Sequence, residues 1–196
     1  CLITLQDVDV SSDISLLRDV HTIYCVIQKT LNLRYDSEVH KVLGDDKGIS
    51  FIIAFGLDIV HEDDASRSCS CALQVREIIA NVGYSCAIGI AFGRVFCGAL
   101  GHKYRSEYTI LGNTMNLSAR LMQSAKRKGK NIILLDNNTY KKLPSNKFDT
   151  KKIEPLSVKG RSVKIQAFEL LSVKKISIGI HITGFYDNIW KRKRSD

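Results

Sequence analysis

The chain has 196 residues, of which 44% are hydrophobic and 25% are charged. This is an ordinary globular composition, and the length suits one domain with extensions. No apolar run reaches the roughly 18 residues that a membrane-spanning helix needs, so we expect no transmembrane segment. The sequence opens at Cys1, within an apolar run, and we interpret it as a fragment of a longer polypeptide.

Charge is distributed unevenly along the chain. Residues 1–98 carry 8 Lys and Arg against 13 Asp and Glu, whereas residues 99–196 carry 21 against 7, so the net charge of +9 comes from the second half. Such a half suits nucleic acid, an anionic membrane or a polyphosphate substrate, and it also suits a solvated surface with a basic tail. Because no nucleic-acid recognition motif accompanies the charge, we expect no nucleic-acid partner.

The cysteines lack the spacing of a metal site. There is no Cys-x-x-Cys pair and no accompanying set of histidines, which argues against structural zinc. Most of them lie in apolar surroundings, as small core residues do. We therefore predict a reduced chain in the cytoplasm. The cysteines are Cys1, Cys25, Cys69, Cys71, Cys86 and Cys97.

The first half of the chain predicts the order strand, helix, strand, strand, helix, strand. Apolar residues recur at helical spacing in the helices, and a turn-rich separator between two strand-like runs predicts a β-hairpin. This order indicates the α+β class, with a ferredoxin-like βαββαβ core whose antiparallel sheet carries its helices on one face. We predict strands at Cys1–Gln6, Val39–Leu43, Ile49–Phe55 and Ser85–Phe92, and helices at Ile14–Leu31 and from Asp63 or Asp64 to Asn81.

The second half adds C-terminal strands and helices to this core. Residues 172–196 end in a basic run, and we assign them to an extension or linker outside the domain at residues 1–171. The added strands are predicted at Gly93–Gly98, Glu107–Leu111, Ile132–Leu135, Phe148–Ile153 and Lys164–Leu171, with a short helix at Asn137–Leu143.

The stretch Glu107–Met122, which reads EYTILGNTMNLSARLM, combines a strand, a glycine break and a helix. Asn113 or Thr114 is expected to cap the helix, because a short polar side chain accepts a bond from the first turn. Asn116 and Arg120 are four residues apart and share one helix face. A guanidinium and an amide on one face suit phosphate and a single oxygen, although a wet polar face is the simpler interpretation.

Four segments together resemble the catalytic domain of the class III nucleotide cyclases. They are the hairpin ending in Phe55-Gly56, SCAIGIAFGRVFCGALG, EYTILGNTMNLSARLM and VKGR…KIQAFELL. Within the class, the chain is most similar to the second catalytic domain of bicarbonate-regulated soluble adenylyl cyclases. The resemblance implies conversion of ATP to cyclic AMP and pyrophosphate, at an interface with a second cyclase domain of a longer chain or in a homodimer. The alternative is an inactive pairing or regulatory domain.

The resemblance also implies roles for particular residues. Asn116 matches the residue that orients the ribose, and Arg120 matches the one that binds the phosphates in the transition state. Thr109 matches a residue that helps to read adenine, and Lys159 lies in a basic closing loop near the triphosphate. Lys47 matches the lysine that reads the adenine edge, because the run Asp-Lys-Gly-x-Ser-Phe matches as a unit.

Two of these implications leave alternatives open. Counting from Gly44 favours Lys41, rather than Lys47, as the reader of the base. Asp7 and Asp45 lie where metal-binding cyclase domains place carboxylates for Mg²⁺ or Mn²⁺, but second domains of this subfamily generally lack the pair. We therefore expect the metal to be held mainly by the partner domain, with Asp7 and Asp45 as candidate ligands in this chain.

Overall fold

The structure is a computed structural model that describes residues 1–6, 14–45, 48–156 and 164–174. These residues form nine strands and four helices, and the first six elements follow the predicted order. The strands are β1 (Leu2–Gln6), β2 (Glu38–Asp45), β3 (Gly48–Ala54), β4 (Ser85–Ile90), β5 (Phe96–His102), β6 (Arg105–Leu111), β7 (Ile132–Asp136), β8 (Phe148–Lys152) and β9 (Ala167–Val173). The helices are α1 (Ile14–Arg34), α2 (Asp64–Asn81), α3 (Asn113–Lys128) and α4 (Asn137–Lys141).

Seven strands form one sheet in the spatial order β2-β3-β1-β4-β7-β9-β8. β1 runs antiparallel to both β3 and β4, as a ferredoxin-like core requires, while β4 runs parallel to β7. β5 and β6 pair with each other in a separate two-stranded hairpin. The predicted α+β class and the antiparallel core are confirmed.

One face of the sheet is covered by α1 and α2. Ile23, Ile27 and Leu31 recur along α1 at helical spacing and are fully buried. They belong to the same core cluster as Phe51 of β3 and Ile88 of β4. This face is therefore closed by side chains of the domain itself, which confirms the predicted position of the first two helices.

The opposite face is covered by α3. Its residues Leu121, Met122 and Ala125 form a second core cluster with Ala87 of β4 and Leu134 of β7. Adjacent strand residues point to opposite faces, so Ala87 serves this cluster while Ile88 serves the other. The expectation of helices on one face holds for α1 and α2 but not for the whole domain.

The element bounds differ from the predicted ones mainly around the β4–β5 connection. β4 ends at Ile90, because the amide of Phe92 leaves the ladder and donates to the Asp136 carboxylate at 3.2 Å. β5 begins at Phe96, opposite Leu111, rather than at Gly93. At the other end of the domain β9 runs to Val173, and residues 175–196 of the predicted extension lie outside the described residues.

All six cysteines lie in the described ranges and are free thiols. Three of them, Cys69, Cys71 and Cys86, are buried in the cluster under α1 and α2. Burial disfavours the thiolate and raises the pKa of each of these three thiols to about 12. Among the described helices, none is long and apolar enough to cross a membrane.

Candidate active site

The helix that carries Asn116 and Arg120 begins at a glycine. Gly112 has φ of 148°, a conformation that side chains rarely adopt, and its carbonyl accepts from the amides of Met115 at 3.1 Å and Asn116 at 3.3 Å. The predicted cap by Asn113 or Thr114 is wrong, because both residues lie inside the helix. The Thr114 hydroxyl instead donates to the carbonyl of Arg94 at 2.9 Å, which ties α3 to the β4–β5 connection.

α3 lies unusually close to β4. A Cβ atom at Gly89 would be 2.2 Å from the carbonyl oxygen of Ser118 and 2.4 Å from the amide nitrogen of Met122, so this crossing needs a glycine. The Ser118 hydroxyl donates to the Gly89 carbonyl at 2.7 Å. Close backbone packing and a buried hydrogen bond hold α3 firmly against the sheet, and the residues on its outer face inherit that fixed position.

Asn116 and Arg120 lie on the outer face of α3. Asn116 is exposed and Arg120 is half-buried, whereas Ser118 and Leu121 face the sheet. A separation of four residues places the two side chains one turn apart, about 6 Å along the helix axis. The structure thus brings the two predicted catalytic residues together on a rigid support.

Thr109 lies on β6, the strand that leads directly into α3. It is half-buried and faces Gly98 across the hairpin. Glu107 lies two residues earlier, so its side chain and that of Thr109 share a face of the hairpin. This arrangement connects a predicted base-binding residue to the predicted catalytic helix through one short segment of chain.

Lys41 lies on β2, and its ammonium pairs with the carboxylate of Glu107 on β6. The hydrogen bond from Lys41 and its positive charge lower the pKa of the Glu107 carboxyl. The sequence did not identify Glu107 as a partner of Lys41, because nothing in the spacing of the residues indicates that β2 and β6 meet. The ion pair brings Lys41 to the strand that carries Thr109.

Several of the predicted residues cannot be placed. Lys47 and Lys159 lie outside the described residues, as does Asp7. For Asp45 the backbone position is defined: it pairs with Gly48 at the end of the β2–β3 hairpin. A Cβ atom at Gly48 would lie 3.5 Å from the carbonyl oxygen of Leu5, so the end of β1, which leads into Asp7, borders this turn.

Of the two candidate metal positions, the structure therefore describes only the backbone of Asp45, at the end of β2. Carboxylate oxygens brought together at such a place are the donors that Mg²⁺ prefers. Within the described ranges, however, no group of three or more His, Cys, Asp or Glu side chains forms a cluster that could hold a metal ion. Two carboxylates alone are too few to hold a metal ion, so a site that uses Asp7 and Asp45 would need further ligands.

The β5–β6 hairpin carries an exposed apolar surface. Five large apolar side chains of the hairpin and its turn retain at least 48% of their surface in solvent, whereas Ile110 of β6 is buried. The edge-on contact of the Tyr108 and His40 rings, whose centroids are 6.0 Å apart, links this surface to β2. We call these exposed side chains the hairpin surface: Phe96, Leu100 and Leu111 share one face of the hairpin, Tyr108 lies on the other face, and Tyr104 lies in the turn.

Comparison with known structures shows where this fold occurs. The guanylate cyclase domain of RhGC from Catenaria anguillulae, solved with GTP, superposes with a TM-score of 0.75 at 17% identity, covering 88% of this chain and 94% of that one. The adenylyl cyclase CyaB from P. aeruginosa superposes with a TM-score of 0.73 at 18% identity, covering 89% and 93%. These likenesses establish the fold, which adenylyl and guanylyl cyclases share.

Sequence comparison is more specific. Human adenylate cyclase type 10 is 34% identical over 109 residues, which are 54% of this chain and 6% of the human protein. The chain thus spans a small part of that relative's length. The sequence profile of the adenylate and guanylate cyclase catalytic domain matches residues 8–172, most of the chain. The chain belongs to the family of adenylate and guanylate cyclase catalytic domains.

Proposed function

We propose that this domain is one half of an adenylyl cyclase, which converts ATP to 3′,5′-cyclic AMP and pyrophosphate together with a second cyclase domain. The observation that carries the proposal is the placement of Asn116 and Arg120 one turn apart on the outer face of α3. An amide and a planar guanidinium at this spacing suit a ribose oxygen and a phosphate.

The reaction requires positioning and charge stabilisation. The ribose 3′-oxygen forms a bond to the α-phosphorus while the bond from that phosphorus to pyrophosphate breaks, and the 3′-hydroxyl proton is released. Asn116 orients the ribose so that the 3′-oxygen lies in line with the leaving group. Arg120 donates to the phosphate oxygens as their negative charge increases. Lys159, in the predicted closing loop, would add a second positive charge near the triphosphate.

A divalent ion, Mg²⁺ or Mn²⁺, supplies further charge neutralisation at the phosphates when it is bound. We propose that the partner domain provides most of its ligands, as the resemblance to second cyclase domains implies. Asp7 and Asp45 would be this chain's own ligands in a homodimer. Changing either one to Ala would then abolish the activity of the isolated chain, whereas activity with a metal-binding partner would persist.

Adenine selection is the part of the proposal with two versions. Thr109 would read the base together with either Lys41 or Lys47. The contact between Lys41 and Glu107 supports Lys41, because it holds the ammonium beside the strand of Thr109. If Lys41→Ala weakens ATP binding and Lys47→Ala does not, Lys41 reads the base. If Lys47→Ala weakens ATP binding and Lys41→Ala does not, Lys47 reads it. The ratio of ATP to GTP turnover measures the selection itself.

The hairpin surface supports pairing with a second cyclase domain. Exposed apolar side chains clustered on one element indicate a surface that another protein covers. A partner seated there would border Thr109 and the start of α3, which leads from β6. We propose that this partner lies in the same longer chain or is a second copy, and that the protein works in the cytoplasm, where ATP is available and thiols stay reduced.

Co-expression with a metal-binding cyclase domain tests the proposal. Cyclic AMP is measured from Mg-ATP and Mn-ATP for the wild type, Asn116→Ala and Arg120→Ala. Loss of a transition-state donor should lower the rate roughly 100-fold or more, with the melting temperature little changed. Rates within about threefold of wild type would contradict the assigned roles, since that difference is far below the cost of losing such a donor. A wild-type pair that forms but makes no cyclic nucleotide would instead indicate a regulatory pairing domain.

A further inference from the structure

The ion pair between Lys41 and Glu107 spans two separate parts of the domain. Lys41 belongs to the edge strand β2 of the main sheet, while Glu107 belongs to the β5–β6 hairpin. Both side chains are well exposed, at 39% and 57%. Exposed ion pairs add little to folding stability, because solvent screens them and the side chains must be immobilised. The pair therefore contributes little to folding stability, and what it can affect is where the Lys41 ammonium lies.

A β-bulge in β2 determines which way Lys41 faces. The register shifts between Val39 and Lys41, so that His40 is an extra residue and Lys41 lies opposite Ile52. Ile52 belongs to the cluster under α3. With regular pairing, Lys41 would instead lie opposite Phe51, whose side chain is fully buried under α1 and α2. The bulge thus moves Lys41 to the face of the sheet that carries Asn116 and Arg120.

Glu107 then fixes where the ammonium lies on that face. Glu107 and Thr109 are two residues apart on β6, so they share a face and lie about 7 Å apart along the strand. A lysine at an exposed edge otherwise samples many rotamers of its four-carbon chain. With Glu107 in place, the ammonium is held beside the strand that carries Thr109.

We propose that Glu107 is a positioning residue that holds Lys41 ready to bind the adenine ring of ATP. The inference rests on the proposed function and identifies the device that organises its base-binding half. Glu107 itself does not react. It removes rotamers of Lys41 before ATP arrives, so its loss weakens ATP binding and leaves the chemical step at Asn116 and Arg120 unaltered.

The test uses KM for ATP and kcat in the chain co-expressed with a metal-binding cyclase domain. Immobilising one long side chain corresponds to a roughly three- to tenfold rise in KM for Glu107→Ala, with kcat changed less than about twofold. Glu107→Gln keeps an acceptor for the ammonium and should have a smaller effect. Glu77→Ala, which removes an exposed glutamate of α2, is the matched control and should leave both constants unchanged.

A double-mutant cycle decides whether Glu107 acts through Lys41. If it does, Glu107→Ala has no further effect in a Lys41→Ala background. An unchanged KM in Glu107→Ala, an unchanged KM in Lys41→Ala, or additive effects of the two would each overturn the inference. Direct binding of a fluorescent ATP analogue provides the same comparison without turnover. A domain that binds ATP through this pair but makes no cyclic AMP would contradict the proposed function and leave the inference standing.

Discussion

The two faces of the sheet differ in how completely the domain covers them with its own side chains. Under α1 and α2, the apolar side chains of helices and strands interlock in one buried cluster that includes Ile27, Val75 and Phe51. On the other side, α3 buries a smaller cluster, and the adjoining hairpin leaves residues such as Leu100 and Tyr104 in solvent. The first face stabilises the domain by itself, whereas the second presents both the candidate catalytic residues and an apolar surface for another domain.

This difference indicates a division of labour. Among the described residues, neither Asn116 nor Arg120 lies on the closed face, whose contribution is a rigid support. The open face holds Asn116 and Arg120 on a helix fixed by the Gly89 contact, beside a surface that lacks its own cover. Stability and function therefore respond to mutations on different sides of the sheet, and four predictions follow from that separation.

The largest expected effect is a cavity in the closed face. Ile27→Ala removes a fully buried side chain and should lower the free energy of unfolding by about 4 kcal/mol. Leu100→Ala on the hairpin surface, which is 60% exposed, should change it by less than about 0.5 kcal/mol. Urea unfolding of both variants measures the contrast. Equal losses of unfolding free energy in the two variants would mean that Leu100 is part of the folded core.

The next largest effect concerns the contact between α3 and β4. Gly89→Ala places a methyl group where the Ser118 carbonyl and the Met122 amide already lie, so α3 must shift. We expect a loss of about 2–3 kcal/mol and a parallel loss of activity, because Arg120 moves with the helix. Gly44→Ala is the matched control, since nothing lies within 4 Å of its added Cβ. A Gly89→Ala protein with wild-type melting temperature would refute the close packing.

A further effect should appear only at alkaline pH, in the pH dependence of stability. Cys69, Cys71 and Cys86 have their pKa raised to about 12 from an ordinary value of 9.0. Above pH 9 the unfolded chain releases protons that the folded chain retains, so these thiols make stability fall as the pH rises from 9 towards 12. Triple replacement by Ala, followed by unfolding at pH 8 and pH 10, should reduce this fall. If the triple variant loses stability between pH 8 and pH 10 as steeply as the wild type, the three buried thiols are not the cause of the fall.

Thiol labelling gives the smallest effect but separates the two faces directly. At pH 8 an alkylating reagent should modify the exposed Cys25 rapidly and leave the three buried thiols unmodified. Cys97, half-buried on β5 of the hairpin, should react at an intermediate rate, and a bound partner domain should slow that reaction. Labelling of Cys69 or Cys71 in the native chain would show that the closed face opens readily.

Much of the fold could be predicted from local pattern. Helical spacing of apolar residues located α1 and α2, and turn composition located the β2–β3 hairpin, because these signals depend on near neighbours. The cap of α3 was predicted wrongly, since Gly112, in a backbone conformation that glycine adopts freely, takes the N-cap position without a side-chain hydrogen bond. The position of α3 on the second face depends on a long-range contact between Gly89 and Ser118, which no local pattern encodes.

In the candidate site, too, local spacing could be predicted from the sequence and long-range contacts could not. Asn116 and Arg120 could be paired from their spacing alone, because a helix fixes which residues share a face. The bulge at His40 and the partnership of Lys41 with Glu107 could not, since one extra residue in a strand reverses every later side chain. The positions of the candidate catalytic residues on α3 therefore follow from the sequence more directly than the contact between β2 and β6.

The central claim is that the open face is completed by a second cyclase domain. Amide hydrogen exchange, measured on the chain alone and with a metal-binding cyclase domain, tests it most directly. We expect slower exchange along residues 96–111 and at the start of α3, with α1 and α2 unchanged. Protection confined to α1 and α2, or no change along the hairpin in a pair that forms, would contradict the account.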